Sequence, residues 1–199
     1  MKEAMLVVAY LLGSIPFAYL LVRAAGRGDV RRIGSGNVGA TNAMRAVGWK
    51  VALAVAVLDV GKGVLAVALM RQVTANPVWV AAAGAMAVVG HCYPVWLSFA
   101  GGKGVATAAG AFGSIALLPI VPVAAVWIVL LALTRVVSLS SVVAAASFPI
   151  FLYFLAAVSP AVVACAVVAV SVIIWRHRDN LARLARGEEP RIGGKRGAA

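Results

Sequence analysis

Six long apolar runs, at about 4–22, 51–70, 78–97, 105–134, 138–157 and 161–175, are separated by short basic connections and leave the chain one environment to fold in. Runs of that length and continuity belong inside a bilayer, where every backbone N–H and C=O needs an internal partner, so only helices or closed barrels are available. The runs lack the alternation of barrel strands, which predicts an all-α integral membrane protein, a polytopic helical bundle. Composition agrees: the hydrophobic fraction is 63% and charged residues make up 12%, too few for the polar shell of a soluble domain. Lys2 ahead of the first run and Ala24-Ala25-Gly26 after it resemble a secretory signal, but Pro16 interrupts the run and equally apolar runs follow. The first run is therefore read as a retained span, and 1–199 as a single transmembrane domain with polar segments at 23–50, 98–104, 135–141 and 176–199.

Charge sets the predicted orientation. The 18 Lys and Arg outnumber the 6 Asp and Glu, giving a net +12 concentrated in the connections. Segment 23–50 carries Arg23, Arg27, Arg31, Arg32, Arg45 and Lys50, against Lys2 alone before the first span, which places the loop in the cytoplasm and the N-terminus outside. The tail, with Arg176, Arg178, Arg183, Arg186, Arg191, Lys195 and Arg196, is also placed inside. An outside start and an inside end need an odd number of crossings, so one of the six runs must cross twice. The run 105–134 would reach about 45 Å as one helix, far beyond a hydrocarbon core of about 30 Å, and Pro119 and Pro122 interrupt it midway. Splitting it predicts seven transmembrane helices; five, with one segment re-entrant or interfacial, is the alternative.

That topology brings three polar clusters to the cytoplasmic face: "GSGNVGATN" at 34–42, "GGKG" at 101–104 and "RHRDN" at 176–180, joined by Ser138, Ser140 and Ser141. Glycines let backbone N–H groups approach an oxyanion, hydroxyls and amides add oriented dipoles, and Lys or Arg supplies charge. The combination reads as a phosphate cradle, with Arg45 as a clamp, rather than a solvated turn. Two motif matches fail on context. Gly34, Gly36 and Gly39 fit G-x-G-x-x-G, but no buried strand precedes them, and "GGKG" lacks both the hydroxyl residue after the lysine and the first glycine of a P-loop.

The apolar runs hold few polar residues. Asp59 and Lys62 can face each other at helical spacing, either as an ion pair that locks the bundle or in contact with substrate. His91 and Cys92 point about 100° apart and do not form a nucleophile–base pair, so His91 is read as structural. Cys92 and Cys165 lie in apolar runs without metal-ligand spacing and are read as small buried side chains. His177 lies where the last run meets the cytosol, among Arg176, Arg178 and Asn180.

"GSIPFAYLL", "GSGNVGATNAMRAVG", "LDVGKG", "GHCYPVWLSFAGGKGVATAAG" and "RHRDNLARLARGEE", in that order and nearly end to end, resemble the bacterial acyl-phosphate:glycerol-3-phosphate acyltransferases of the PlsY type. The resemblance implies a multi-pass enzyme of the bacterial inner membrane with its site on the cytoplasmic face. It would transfer a fatty acyl group from acyl phosphate, not from acyl-CoA or acyl carrier protein, to the 1-hydroxyl of sn-glycerol 3-phosphate, releasing lysophosphatidic acid and phosphate. No cofactor, metal, nucleic acid or obligate protein partner is implied; the partners are the two substrates and membrane lipid. The His-x4-Asp dyad of other glycerolipid acyltransferases is absent, since Trp96 and Ala182 stand five residues after His91 and His177. An acyl phosphate is already activated, so catalysis by positioning suffices, with a donor phosphate oxygen accepting the hydroxyl proton.

On this reading Ser35, Gly36, Asn37, Thr41 and Asn42 cradle one phosphate, and Arg45 and Lys103 neutralise charge. Gly101, Gly102 and Gly104 keep the lysine close, and Ser138, His177 and Asn180 surround glycerol 3-phosphate. The acyl tail would lie in a groove among small-residue helices. A transporter for a phosphorylated metabolite, or a lipid-binding scaffold, would also use a basic mouth. Neither accounts for glycines, amides and hydroxyls gathered with the charges on one side.

Overall fold

The computed structural model describes residues 1–193, so Lys195 and Arg196 lie outside the described residues. All regular structure among the described residues is helical. Lys2–Ser14 (α1) and Phe17–Ala24 (α2) form one apolar span of 23 residues, broken at Ile15 and Pro16 because proline offers no N–H to continue the ladder. Ala40–Ala46 (α3) ends the first polar connection, and Trp49–Val73 (α4) and Pro77–Cys92 (α5) follow it. Proline opens α5 at a first-turn position where no donor is lost, and Asn76 Oδ1 caps it by accepting from Val78 N at 2.9 Å.

The 105–134 run is divided where its prolines predicted. Val105–Ile115 (α6) and Ile120–Thr134 (α7) meet at a break over 116–119, with Pro119 at the N-cap of α7 and Pro122 within its first turn. The 11 residues of α6 and the 15 of α7 rise only about 16 and 22 Å. Val137–Ala156 (α8), Pro160–Arg176 (α9) and Arg178–Ala185 (α10) complete the chain, with α9 and α10 bent by 51° at His177. Among the described residues four segments are long and apolar enough to cross a membrane: Lys2–Ala24, Trp49–Val73, Pro77–Leu97 and Val137–Ala156; counting the bent pair as one span makes five.

Small residues hold the bundle together where hydrophobic attraction between helices is weak. The α1 and α5 backbones touch, since a Cβ on Gly13 would strike the Ala87 carbonyl and one on Gly90 the Tyr10 carbonyl. A second such crossing joins α4 to α6, with Gly63 against Thr107 and Gly110 against Val60. By contrast α7 packs along α8, scarcely touches α6 and buries none of its own residues. Phe112 of α6 and Phe148 of α8 stack at 5.3 Å between centroids beneath the gap this leaves.

Candidate active site

Three loops meet at one end of the bundle. The first, 25–39, is built around Asn42, whose fully buried amide donates to Val30 O at 3.0 Å and Ile33 O at 2.8 Å while its Oδ1 accepts from Ser35 N at 3.1 Å. Gly34 and Gly36, at φ +58° and +70°, make the reversals that wrap the loop around it. This corrects the expected part of Asn42 in a phosphate cradle. Its N–H groups are spent holding the loop, and Ser35, Thr41 and Arg45 are the side chains left exposed around it. Asn37 turns its amide toward Gly39.

The second loop, 98–104, is strained and clamped. Ser98 and Phe99 both adopt left-handed conformations, at φ 51° and 62°, which side chains rarely tolerate unless neighbours impose them. From α5, His91 O accepts from Gly102 N at 3.1 Å; from α9, the Arg176 guanidinium donates to Gly101 O at 2.7 Å and Gly102 O at 3.1 Å. Gly102 is wedged so tightly that a Cβ would collide with the His91 ring on one side and Val38 O of the first loop on the other. Gly104 fits among Val88, Cys92 and Ile173. These glycines bring the lysine between them inward.

Lys103 donates to Asn180 Oδ1, tying the second loop to α10. Burial pushes its ammonium down to about 8, opposed by the Glu189 carboxylate and reinforced by the charges of Arg183, Arg176 and Arg45. Asn180 Nδ2 in turn donates to Glu189 Oε1 at 2.6 Å, Ser138 Oγ to the same oxygen at 2.7 Å, and Arg183 Nε to Oε2 at 2.9 Å. Burial opposes the charge on Glu189, but together these three donors outweigh it and hold the carboxyl below its usual range. Ile192 N donates to Arg135 O at 2.8 Å, closing the tail against the start of α8. Segments 98–104, 135–141 and 176–192 therefore sit together, and α6–α7 leaves this end and returns to it.

His177 is buried at the bend after the last span. Its Nδ1 lies 2.8 Å from Ile173 O, and because a carbonyl only accepts, that nitrogen carries the hydrogen and Nε2 is left as an acceptor. Burial, with the nearby Lys103 charge, pushes the imidazole down to about 4 and keeps it neutral. Of the serines opening α8, only Ser138 reaches the cluster: Ser140 Oγ donates to Val136 O, and Ser141 Oγ accepts from Trp127 Nε1 at 3.1 Å.

An apolar cleft of about 360 Å³ runs into the bundle from this cluster, within the range of pockets that enclose small ligands. Val105, Ser141 and Ile173, which line it, are within four residues of Lys103, Ser138 and His177, and Phe112 and Phe148 line it as well. An anionic head held among the loops and an apolar tail in the cleft is the ligand such a shape suits.

Two contributors went unassigned in the sequence. Arg176 was placed in the polar cluster around His177 but given no role of its own, although it grips the carbonyls of the lysine loop. Glu189 carried only a weak signal, being one of three acids, with Asp179 and Glu188, among the basic residues of the tail. Asp59 and Lys62 form an ion pair at 2.8 Å, with His91 Nδ1 3.4 Å from the same carboxylate oxygen.

The chain matches the family model described as glycerol-3-phosphate acyltransferase over residues 4–187. It is 46% identical over 192 residues to the glycerol-3-phosphate acyltransferase of Synechococcus sp. (strain CC9902), covering 96% of this chain and 95% of that one. It is 47% identical to that of Caulobacter vibrioides (strain NA1000 / CB15N), over 97% and 88% of the two chains. Among solved structures it is similar to the crystal structure of PlsY, an integral membrane glycerol 3-phosphate acyltransferase, in its glycerol 3-phosphate form. There the TM-score is 0.90 and the identity 38%, over 96% of this chain and 94% of that one. The lysophosphatidic acid form of PlsY gives a TM-score of 0.88 at 37% identity, with the same coverage.

Proposed function

The chain belongs to the glycerol-3-phosphate acyltransferase family, and we propose that its acyl donor is an acyl phosphate and its point of attack the 1-hydroxyl of sn-glycerol 3-phosphate. It is an integral membrane acyltransferase that makes lysophosphatidic acid from glycerol 3-phosphate. The hydroxyl oxygen attacks the acyl carbonyl, the bond from that carbon to the phosphate oxygen breaks, and inorganic phosphate leaves. The hydroxyl proton passes to an oxygen of the departing phosphate. A donor that carries its own leaving group and base leaves the protein to hold two anions in line and balance their charge.

One observation carries this reading: a partly buried lysine, flanked by arginines and tied to Asn180, stands beside an imidazole held neutral, and the helices that adjoin these two residues in the chain line an apolar cleft. Lys103 and Arg45 neutralise the phosphates and the developing oxyanion. Ser35, Gly36, Asn37 and Thr41 contribute hydrogen-bond donors from the first loop, with Asn42 as the post they are built on. Ser138, Asn180 and the free Nε2 of His177 face glycerol 3-phosphate, Gly101, Gly102 and Gly104 let the lysine loop close in, and the acyl tail occupies the cleft.

The same reading places the protein in the bacterial inner membrane with seven crossings, the N-terminus outside, and the site and tail in the cytoplasm. The basic loops support it; the return of α6–α7 to the end it left fits two crossings and a re-entrant pair alike, and rises of about 16 and 22 Å leave each helix short of a core of about 30 Å. A membrane-impermeant thiol reagent applied to single cysteines at 117 and 118 in intact cells labels both if there are seven crossings and neither if α6–α7 is re-entrant. The enzymatic test is phosphate release by purified protein given palmitoyl phosphate. Release that requires glycerol 3-phosphate, with palmitoyl-CoA inert, is expected; turnover with the thioester would overturn the donor assignment.

A further inference from the structure

A chain of polar contacts runs beneath the site through the membrane-embedded part of the bundle. At the break between α1 and α2 the Ile15 carbonyl leaves the helical ladder: it accepts from Phe17 N at 3.2 Å and from Lys62 Nζ of α4 at 2.9 Å. The same ammonium pairs with Asp59, whose Oδ1 faces His91 Nδ1 of α5 at 3.4 Å. Ser14 and these three side chains line a small enclosed pocket of about 10 Å³, and Asp59 and His91 are almost fully buried. The far edge of the His91 ring, Nε2, lies against Gly102, and its main-chain oxygen accepts from Gly102 N. On the other side of that glycine is the Val38 carbonyl of the first loop.

We propose that Asp59, Lys62 and His91 are positioning residues, which fix the ring on which Gly102 rests and so set where the Lys103 ammonium stands relative to the first loop. The inference rests on the reading of Lys103 given above. Three features carry it. A buried carboxylate–ammonium pair is expensive in lipid and needs a return beyond simple packing. The ring it orients touches the loop at Gly102, where no side chain fits. And that loop is strained at Ser98 and Phe99, so it needs an external brace. A lysine displaced by about 1 Å loses much of its effect on the reaction, on the order of a hundredfold.

The test is the double variant Asp59→Asn/Lys62→Met, which removes both charges together and leaves net charge unchanged. It is purified in detergent and assayed for phosphate release from palmitoyl phosphate against pH. A bundle defect alone lowers the active fraction and leaves the shape of the profile unchanged. A displaced loop moves Lys103 relative to the groups facing it, Arg45 of α3, Arg176 and His177 of α9 and its bend, Arg183 of α10 and Glu189 of the tail. The high-pH limb of kcat/KM, near 8 in the parent, then moves upward while kcat/KM falls by about tenfold to a hundredfold. His91→Phe, which keeps a ring beneath Gly102 but loses the Asp59 contact, is expected to shift the limb the same way. A folded variant with an unmoved limb overturns the inference, and so does failure of both variants to fold, since the cluster would then serve the fold alone. Lys103→Ala in the same preparation separates the two readings: if it retains full activity the site assignment fails, whereas an inactive Lys103→Ala with an unmoved limb in the double variant sinks only the positioning role.

Discussion

Lys103 and Asn180, 77 positions apart in the chain, are joined by a direct side-chain hydrogen bond. One sits on a strained glycine loop after the third apolar segment and the other on the helix that follows the last, so the bond closes the site between the ends of two neighbouring helices, α5 and α9. Lys103→Ala should therefore lower kcat by about 10²- to 10³-fold, the cost of removing one charge-stabilising donor, with the protein still extracted intact from membranes. Asn180→Ala releases the lysine and should raise KM for glycerol 3-phosphate as well. Phosphate release at varied glycerol 3-phosphate reads both.

The buried setting of Lys103 gives activity a pH limit. Its ammonium, pushed down to about 8, is charged below that pH and neutral above it. If the charge is required, kcat/KM, which reports the free enzyme, should decline as pH rises through about 8. Bound phosphates favour the ammonium, so the corresponding limb of kcat should lie at higher pH. A flat kcat/KM profile from pH 7 to 10 would contradict the assigned role.

Glu189 gathers Ser138, Asn180 and Arg183 on one carboxylate, so Glu189→Gln should disturb three contacts together. Each hydrogen bond to a charged group contributes about 1.5–3 kcal/mol where it is buried, and with part of the cluster exposed a net loss of about 1–3 kcal/mol is expected. Thermal unfolding in detergent should show a lower midpoint and the assay a higher KM for glycerol 3-phosphate. Because the folded carboxyl titrates below the ordinary glutamate value of 4.5, its contribution is complete above that pH and is lost as pH falls through the lowered folded value. Glu189→Gln should lack that acid sensitivity.

The apolar cleft should read the donor's tail. Ala108 lines it on α6, and Ala108→Phe fills part of its depth. Kinetics with decanoyl and palmitoyl phosphate should show the longer donor losing about tenfold more in kcat/KM than the shorter, in keeping with the 1–3 kcal/mol typical of a steric change in an apolar pocket. Equal losses would place the tail elsewhere.

Long-range order in the sequence was legible wherever one segment sufficed to carry it. Apolar length gave the spans, Pro16 and Pro119 gave the breaks, and glycines beside hydroxyls, amides and basic residues marked the three loops that converge. What stayed hidden were pairings between segments. Nothing near Asn42 says that its amide will be consumed by Val30 and Ile33, and nothing near Arg176 says that its guanidinium will close on carbonyls of Gly101 and Gly102. Nothing in the sequence sets Glu189 apart from its neighbour Glu188, since its three donors come from α8 and α10 and appear only once those helices are packed. His91 was read as structural, and its place under Gly102 depends on a turn ten residues further on.

The loose seam between α6 and α7, with a greasy cleft behind it and charged loops at its head, means that the two substrates would arrive from phases counted in different units. A donor sliding in sideways is measured as a fraction of the surrounding lipid, whereas glycerol 3-phosphate is measured in molar terms in water. Adding detergent or lipid at fixed donor and fixed glycerol 3-phosphate should then thin the one substrate and leave the other untouched.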